Sequence, residues 1–410
     1  MRIKKLEMKN FRGFEKLTIE FPERGSAVFV GINGAGKTSV LECIKSIFDV
    51  LLGGDTKFKY PVGHTSNDIN IGYSHTENEL VFELENENHS ITTEAVITSP
   101  NRSLWQNKNY SSVELYEHFV EKIYQFPSTN IPLFEFYPTE RSANNESTDS
   151  MDLAFENQLD AFSFTYLLNF NVFFEWFKTK EDVENEVRLQ ETSEFRLGEL
   201  EVVRTALKSF LSDIKDIRVK RIGIIEFIVK KKGEWLSLSM LSHGEKLLVA
   251  MIGDIARRLT IANPSLKNPL EGKGIILIDE IELHLHPGWQ REIVPRLEQT
   301  FPNIQFIFTT HSPQVLSTVD KENIFILEDF KLLDGTPNTL WRDSNSILHD
   351  LFRVSKRPEA GKDALNELYK LIDAEEKEKA ISKLSQLEEN MGEQDAELVR
   401  ARMFIDMMDE

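Results

Sequence analysis

The sequence predicts an α/β fold of two α/β halves, with an antiparallel β subdomain, an inserted helical lobe and a helical C-terminal tail. Three observations predict it. The apolar run Ala27-Val-Phe-Val30 leads into Gly31-Ile-Asn-Gly-Ala-Gly-Lys-Thr38, after which Val40, Leu41, Ile44, Ile47 and Phe48 recur at helical spacing through Ser39 to Leu52. A second apolar run, Gly274 to Ile278, ends in the acidic pair Asp279-Glu280 and is followed by a helical pattern and another buried strand. The final stretch, 356–410, is rich in Ala, Leu, Lys and Glu, the composition of solvated helices.

At 410 residues, 40% hydrophobic and 28% charged, the chain can bury a substantial core divided into lobes. Its one cysteine, Cys43, excludes an intramolecular disulfide and a cysteine-based zinc cluster, which points to a cytoplasmic setting. No membrane span is indicated, because the most hydrophobic segment, Ala161 to Phe177, is interrupted by Asn169, Asn171 and Glu175. The net charge of -19 argues against a surface that grips nucleic acid everywhere, since affinity for a phosphate backbone comes from replaced counterions. A local basic patch remains compatible with it, and the acidity favours a protein partner.

In chain order, Arg2 to Phe21 alternates with a turn at Arg12-Gly13 and predicts a strand pair. Leu80 to Glu85 and Ile91 to Ile97 predict antiparallel strands, Ser99 to Ser111 a polar loop, and Ile131 to Tyr137 a buried strand that feeds Pro138-Thr-Glu-Arg141. Ser142 to Ser150 is polar and turn-forming, and is expected to be mobile. Ala161 to Phe210 is mostly helical, with the charge-rich Lys178 to Glu194 as a solvated face or short arm. Ile217 to Val229 has strand character, and Lys230-Lys-Lys-Gly233 turns into Trp235-Leu-Ser-Leu238. Leu241 to Leu259 is a helix that opens on the loop Ser242-His-Gly-Glu245; Trp289 to Gln299 is a further helix and Ile304 to Thr309 a further buried strand. Helices are expected at Ala360 to Leu371, Ala374 to Leu387 and Asp395 to Met408; 9 basic against 15 acidic residues over 356–410 make this tail a docking or oligomerisation element, not a polyanion clamp. The expected divisions are 1–150, 151–212, 213–330 and 331–410.

The glycines of 31–38, including Gly31, Gly34 and Gly36 around Asn33, let main-chain N–H groups converge on phosphate oxygens, with Lys37 reaching the outer phosphates, Thr38 holding Mg²⁺ and Ser39 opening the helix. Asp279 at a strand end would bind the same Mg²⁺ through water, and Glu280 would polarise an attacking water. His311 follows another buried strand, where a neutral imidazole could contact the outermost phosphate. Ser242, Gly244 and Glu245 open a helix whose N-terminus suits phosphate, and since Lys37 already serves the chain's own loop, the economical arrangement is two copies facing each other across two ATP molecules. His284 and His286 with Glu282 raise a metal reading, but their spacing converges only in an extended segment and no cysteine supports it.

The order Gly31 to Thr38, Leu241-Ser-His-Gly-Glu245, Asp279-Glu280 and Thr310-His311 resembles the ABC-type P-loop ATPase head, in its soluble RecF- and SMC-like branch. The resemblance implies Walker A, signature loop, Walker B with its glutamate, and switch histidine in that order; ATP and Mg²⁺ as ligands; and a homodimer or higher homo-oligomer closed on composite sites. Asn10-Phe-Arg-Gly-Phe14 resembles that branch's opening turn, which implies that Arg12 approaches the nucleotide, while His243 departs from the usual glycine of transporter signatures. Gln125 is the nearest candidate by order for the family's Q-loop.

Tyr137 to Arg141, Phe173 to Phe177, Leu241 to Lys246, Glu282 to Pro287 and Leu348 to Arg357 look like the ATPases of Septu-type (PtuA-like) anti-phage systems, with the PARIS-type ATPase a close second. That likeness implies a sensor that controls a separate HNH or toprim nuclease. Lys215, Arg218, Lys220, Arg221 and Lys230 to Lys232 form the candidate patch for DNA or RNA. A RecF-like genome-maintenance clamp is the alternative; the long segment between the first two motifs disfavours a transporter.

Overall fold

A computed structural model describes residues 1–51, 64–99, 102–107, 111–139, 158, 170–353, 355 and 357–409. It divides into two compact units, Met1–Arg342 and Asp343–Glu410. The expected mobile stretch Ser142 to Ser150, and Arg141 before it, lie outside the described residues.

The first unit is organised by a six-stranded sheet. Five strands are parallel, β7 (Leu133–Tyr137), β11 (Gly274–Ile278), β12 (Ile304–Thr310), β3 (Ala27–Val30) and β13 (Ile324–Glu328) in spatial order, and β14 (Lys331–Leu332) adds an antiparallel edge. Strands β3, β7, β11 and β12 are buried throughout, which is why they read as unbroken apolar runs and not as alternating ones. Strand β12 lies between β3, which carries the glycine loop, and β11, which carries Asp279, so three strand ends meet at one edge. This is the α/β core expected from the two apolar runs and the helices that follow them.

A five-stranded antiparallel sheet runs β2 (Phe14–Glu20), β1 (Arg2–Phe11), β4 (His75–Leu84), β5 (Glu87–Ser99) and β6 (Arg102–Asn107). Buried Gln305 joins it to the parallel sheet: its Oε1 accepts from the Ile3 N–H at 2.6 Å and its Nε2 donates to the Ile3 carbonyl at 3.1 Å. Helix α1 (Lys37–Leu51) packs between, with Val40, Leu41, Cys43, Ile44, Ile47 and Phe48 all fully buried. The expected loop at Ser99 to Ser111 instead contains β6, and α2 (Ser111–Gln125) begins at its end. A polar stretch can form an edge strand because pairing with β5 uses only backbone groups.

The inserted helices are α3 (Phe170–Gln190) and α4 (Gly198–Phe210), and they lie beside the sheet β8 (Ile214–Lys220), β9 (Glu226–Lys231) and β10 (Glu234–Ser237). The single strand-like run Ile217 to Val229 is thus interrupted at 221–225, and its hairpin turns at Lys232-Gly233. The charge-rich face of α3 is not simply solvated: Glu181 and Glu184 are buried, and Arg204 of α4 donates to both at 2.9 to 3.0 Å. Burying these carboxylates is tolerable because the guanidinium, with Arg221 at 2.6 Å from Glu181, supplies their donors.

Helix α5 (His243–Ala262) is buried along almost its whole length and is fixed to β7 by a buried polar cluster. Tyr137 donates to Asp254 at 2.9 Å, and Arg258 bridges Asp254 and Glu135 at 2.9 and 2.8 Å. Burial pushes the Glu135 carboxyl up to about 8 against the pull of Arg258, while the Asp254 carboxyl, also opposed by burial, is held low by Arg258 and Arg257.

After the short helix α7 (Pro313–Leu316) in sequence, the second unit comprises α8 (Ser344–Phe352), α9 (Glu359–Asp373), α10 (Lys377–Met391) and α11 (Ala396–Asp406). Its core is Leu365, Leu368, Ile372, Ala380, Leu384, Leu387, Leu398, Ala401 and Ile405, and Arg357 forks onto Asp395 at 2.7 and 2.8 Å.

Candidate functional site

Parallel register builds the site. Tyr137, Ile278 and Phe308 lie level on β7, β11 and β12, so the residues that follow, Thr139, Asp279 and Thr309, emerge at one edge beside Gly31 at the end of β3. Asp279 is 3% exposed and receives three hydroxyls: Thr38 donates to it at 3.0 Å, Thr139 at 2.7 Å and Thr309 at 2.5 Å. The carboxylate is therefore fixed in orientation, with the phosphate-loop threonine already against it.

Gly36 has φ +98, and a Cβ there would lie 2.5 Å from the Phe14 ring, so both the backbone and the space require glycine. The loop then delivers Lys37 to the interior, where its Nζ donates to the carbonyls of Gly31 and Ile32 at 3.0 and 3.1 Å. Burial lowers the ammonium's pKa, and Asp279, Glu280 and Glu282 oppose that shift. Asn33 and Gly34 are exposed at the loop's outer side, Ser39 is half-buried in the first turn of α1, and Thr38 remains accessible.

Glu280 adopts φ +46, in the left-handed region that a non-glycine residue enters only when held there. The hold is Thr309, whose hydroxyl accepts from the Glu280 N–H at 2.7 Å while donating to Asp279. The bend separates two adjacent acids: Asp279 turns into the strand ends and Glu280 stays half-buried. His311, one residue beyond β12, is half-buried; burial lowers its pKa first and the charge of Lys37 next, with Asp279 opposing, which leaves a neutral ring at neutral pH.

Arg12 sits at φ +51 in the turn between β1 and β2, where its guanidinium meets Asp68 at 2.9 Å and Glu42 of α1. Its charge is thus engaged by two carboxylates next to the loop's helix. Gln125 ends α2 and is exposed; the residue that follows β7 and reaches Asp279 is Thr139.

Ser242 caps α5. Its hydroxyl accepts from the Glu245 N–H at 3.3 Å, while the Glu245 carboxylate accepts from the Ser242 N–H at 3.1 Å and its hydroxyl at 2.9 Å, a closed capping box. Glu245 also pairs with Lys231, so its carboxylate serves the loop's own frame. Gly244 allows a close approach: a Cβ there would lie 2.5 Å from the His284 carbonyl oxygen. The His243 ring meets the His284 ring edge-on at 4.5 Å, and His286 caps α6 (Pro287–Thr300) by accepting from the Gly288 N–H. The two histidines are therefore divided between a ring contact and a cap, and no metal-holding group of three His, Cys, Asp or Glu occurs among the described residues.

Thr139, Thr309 and Glu282 are site residues that motif reading misses. Thr139 and Glu282 stand in runs that carry the resemblance, Glu282 also in the metal reading, but neither run predicts the contact made here; the available signal is position, since Thr139 and Thr309 sit at the ends of apolar runs. The candidate basic patch is partly neutralised. Lys220 pairs with Glu226, Arg221 with Glu181 and Asp182, and Lys231 with Asp213 and Glu245. Among the described residues Lys215, Arg218, Lys230 and Lys232 form no ion pair, and Arg218 stacks on Trp235 at 3.9 Å beside a cleft of about 1250 Å³. No described helix is long and apolar enough to cross a membrane.

Residues 26–317 match the family model described as "AAA domain, putative AbiEii toxin, Type IV TA system". The chain is 32% identical over 412 residues to the "Retron Vc95 probable ATPase" of Vibrio cholerae serotype O1 biovar El Tor, across 85% of this chain and 78% of that protein. It is 31% identical over 481 residues to the "Retron Ec83 probable ATPase" of Escherichia coli, across 99% of this chain and 87% of that one. With a Septu protein PtuA of Bacillus thuringiensis it shares 24% identity over 398 residues, covering 92% of this chain and 91% of its relative.

Proposed function

This chain belongs to the AAA-domain family described as "putative AbiEii toxin, Type IV TA system", and from that premise we propose that it hydrolyses ATP between two copies of itself and so controls a separate nuclease in anti-phage defence. The observation that carries the catalytic part is the convergence of Thr38, Thr139 and Thr309 on Asp279, beside a buried Lys37 and a Glu280 held at positive φ. The donor set fits the ligands: a hydroxyl and a carboxylate are hard oxygen donors suited to Mg²⁺, and the glycine loop leaves its main chain open to phosphate. Bound Mg²⁺, held by Thr38 and through water by Asp279, would neutralise charge on the phosphate oxygens. Lys37 supplies the fixed positive charge for the outer phosphates. Glu280 accepts the proton of the attacking water, and the neutral His311 ring hydrogen-bonds at the outermost phosphate. Ser242 and the first N–H groups of α5 receive the partner copy's phosphate, which explains a phosphate-suited helix start whose serine is exposed.

Glu280→Gln should keep ATP and accumulate ATP-bound dimers. Its turnover should fall about 10²- to 10⁴-fold, equivalent to about 3 to 5 kcal/mol of barrier. Phosphate release and sedimentation with ATP check both points, and parental hydrolysis by this variant would show that Glu280 is not the base.

The separate effector is supported by the retron and Septu relatives, which match most of this chain. Co-purification with the neighbouring gene's product tests it: an HNH protein fits a Septu-like pairing and a toprim protein a PARIS-like one, whereas ATP-dependent DNA binding with no nuclease fits the RecF-like clamp. The cleft beside Arg218, Trp235 and Lys230 favours nucleic-acid contact as a second reading, since it joins unpaired cations to an aromatic face. Charge removal at Lys230 and Lys232 should then abolish any response of the ATPase to added DNA or RNA.

A further inference from the structure

The turn from Glu280 to His286 joins β11 to α6, and both oxygens of its Glu282 carboxylate are committed to the switch segment. Oε2 accepts from the Thr310 hydroxyl at 2.7 Å, and Oε1 accepts from the His311 N–H at 2.5 Å. The segment is bracketed from the other side as well. The Ser312 N–H donates to the Thr310 hydroxyl at 3.0 Å, the Ser312 hydroxyl donates to Gln290 at 2.7 Å, and the Gln290 amide donates to the Leu285 carbonyl at 2.9 Å. Thr310 through Ser312 is thus hung on the turn after β11 by one carboxylate and one amide. Each oxygen of the carboxylate is directed at the switch segment, one of them at the histidine's own N–H.

We propose that Glu282 is a positioning residue, which fixes the Thr310–His311 main chain so that the His311 ring stays beside Lys37 and the strand-end acids. The proposal rests on the assignment of His311 to the phosphate. A carboxyl clamp on the N–H of the histidine itself restrains the ring more closely than packing would, because both of its hydrogen bonds are short and directional. The restraint acts only on a group that is used late, when the outermost phosphate is in place. Loss of Glu282 therefore lowers turnover and not nucleotide affinity.

The experiment is a double-mutant cycle on the full chain, with kcat and KM for ATP measured for Glu282→Ala, Glu282→Gln, His311→Ala and Glu282→Ala/His311→Ala. Glu282→Ala should lower kcat about 10- to 100-fold, the scale of a misplaced catalytic group, with KM within about threefold of the parent. Glu282→Gln, which keeps one acceptor oxygen, should fall between the two. The double variant should be no slower than His311→Ala alone. A parental kcat in Glu282→Ala, a rise in KM at constant kcat, or additive losses in the double variant would each overturn the clamp. If His311→Ala turns over like the parent, the histidine assignment fails and the clamp falls with it, a result distinct from additivity. Should Glu282→Ala fail to fold, Glu282→Gln carries the same cycle.

Discussion

Thr309 concentrates two duties in one hydroxyl, donating to Asp279 and accepting from the Glu280 N–H. Thr309→Val keeps the β-branched shape and removes both bonds, so ATP turnover should drop about 10- to 100-fold, as for other residues that orient a metal-binding carboxylate; a phosphate-release assay reads it directly. His64 makes a different kind of prediction. It is 3% exposed, with Thr93 and Asn78 on its Nε2, and burial holds its pKa at about 4 against an ordinary 6.5. Between those values the unfolded chain binds a proton that the fold refuses, so stability falls as pH drops from 6.5 to 4, by roughly 3 kcal/mol in all. Urea midpoints at pH 7 and pH 5 should differ less in His64→Gln than in the parent. Lys37, Thr38 and the Asp279-Glu280 pair were legible as residues because each stands in a contiguous pattern. Thr139, Thr309 and the clamp of Glu282 were not, because the contacts that define them join strands 28 to 140 positions apart.

Strand identity followed from unbroken apolar runs in β3 and β11, and helix identity from periodicity in α1 and the three long tail helices. Periodicity failed at β6, which is polar, and in α3, where buried Glu181 and Glu184 imitate a solvated face until Arg204 is seen opposite them. The turn from Glu280 to His286 is an element in its own right, with the switch segment on Glu282 and the signature loop packed on His284. Gly244→Ala tests that second contact. Its new Cβ would lie 2.5 Å from a carbonyl, backbone against backbone, so the start of α5 must shift. ATP-dependent dimers in a Glu280→Gln background should weaken while binding of ATP by the single chain persists; unchanged sedimentation would show that the loop tolerates the shift.

At the scale of the molecule, the two compact units have separate cores. Leu368 is fully buried in the second, and Leu368→Ala should destabilise that unit by about 2 to 5 kcal/mol. Hydrogen exchange should speed across α9, α10 and α11 and stay parental in α1 and β11. The sequence was informative about the helices of this unit, whose amphipathic spacing is local. It was silent on the cluster of Tyr137, Asp254, Arg258 and Glu135, because ionisable residues scattered from 135 to 258 look like surface until the helix and strand that carry them are packed together.

Cys43, finally, has a use outside the chemistry of the site. It is fully buried in α1, and burial raises its thiol pKa well above the ordinary value, which keeps the reactive thiolate scarce. A cysteine introduced at exposed Met240, two residues before Ser242, would therefore be the one thiol that a maleimide dye or nitroxide readily modifies. No background residue needs to be removed first. Paired labels on two copies would then report, by energy transfer or dipolar coupling, how far apart the two signature loops stand through each round of turnover.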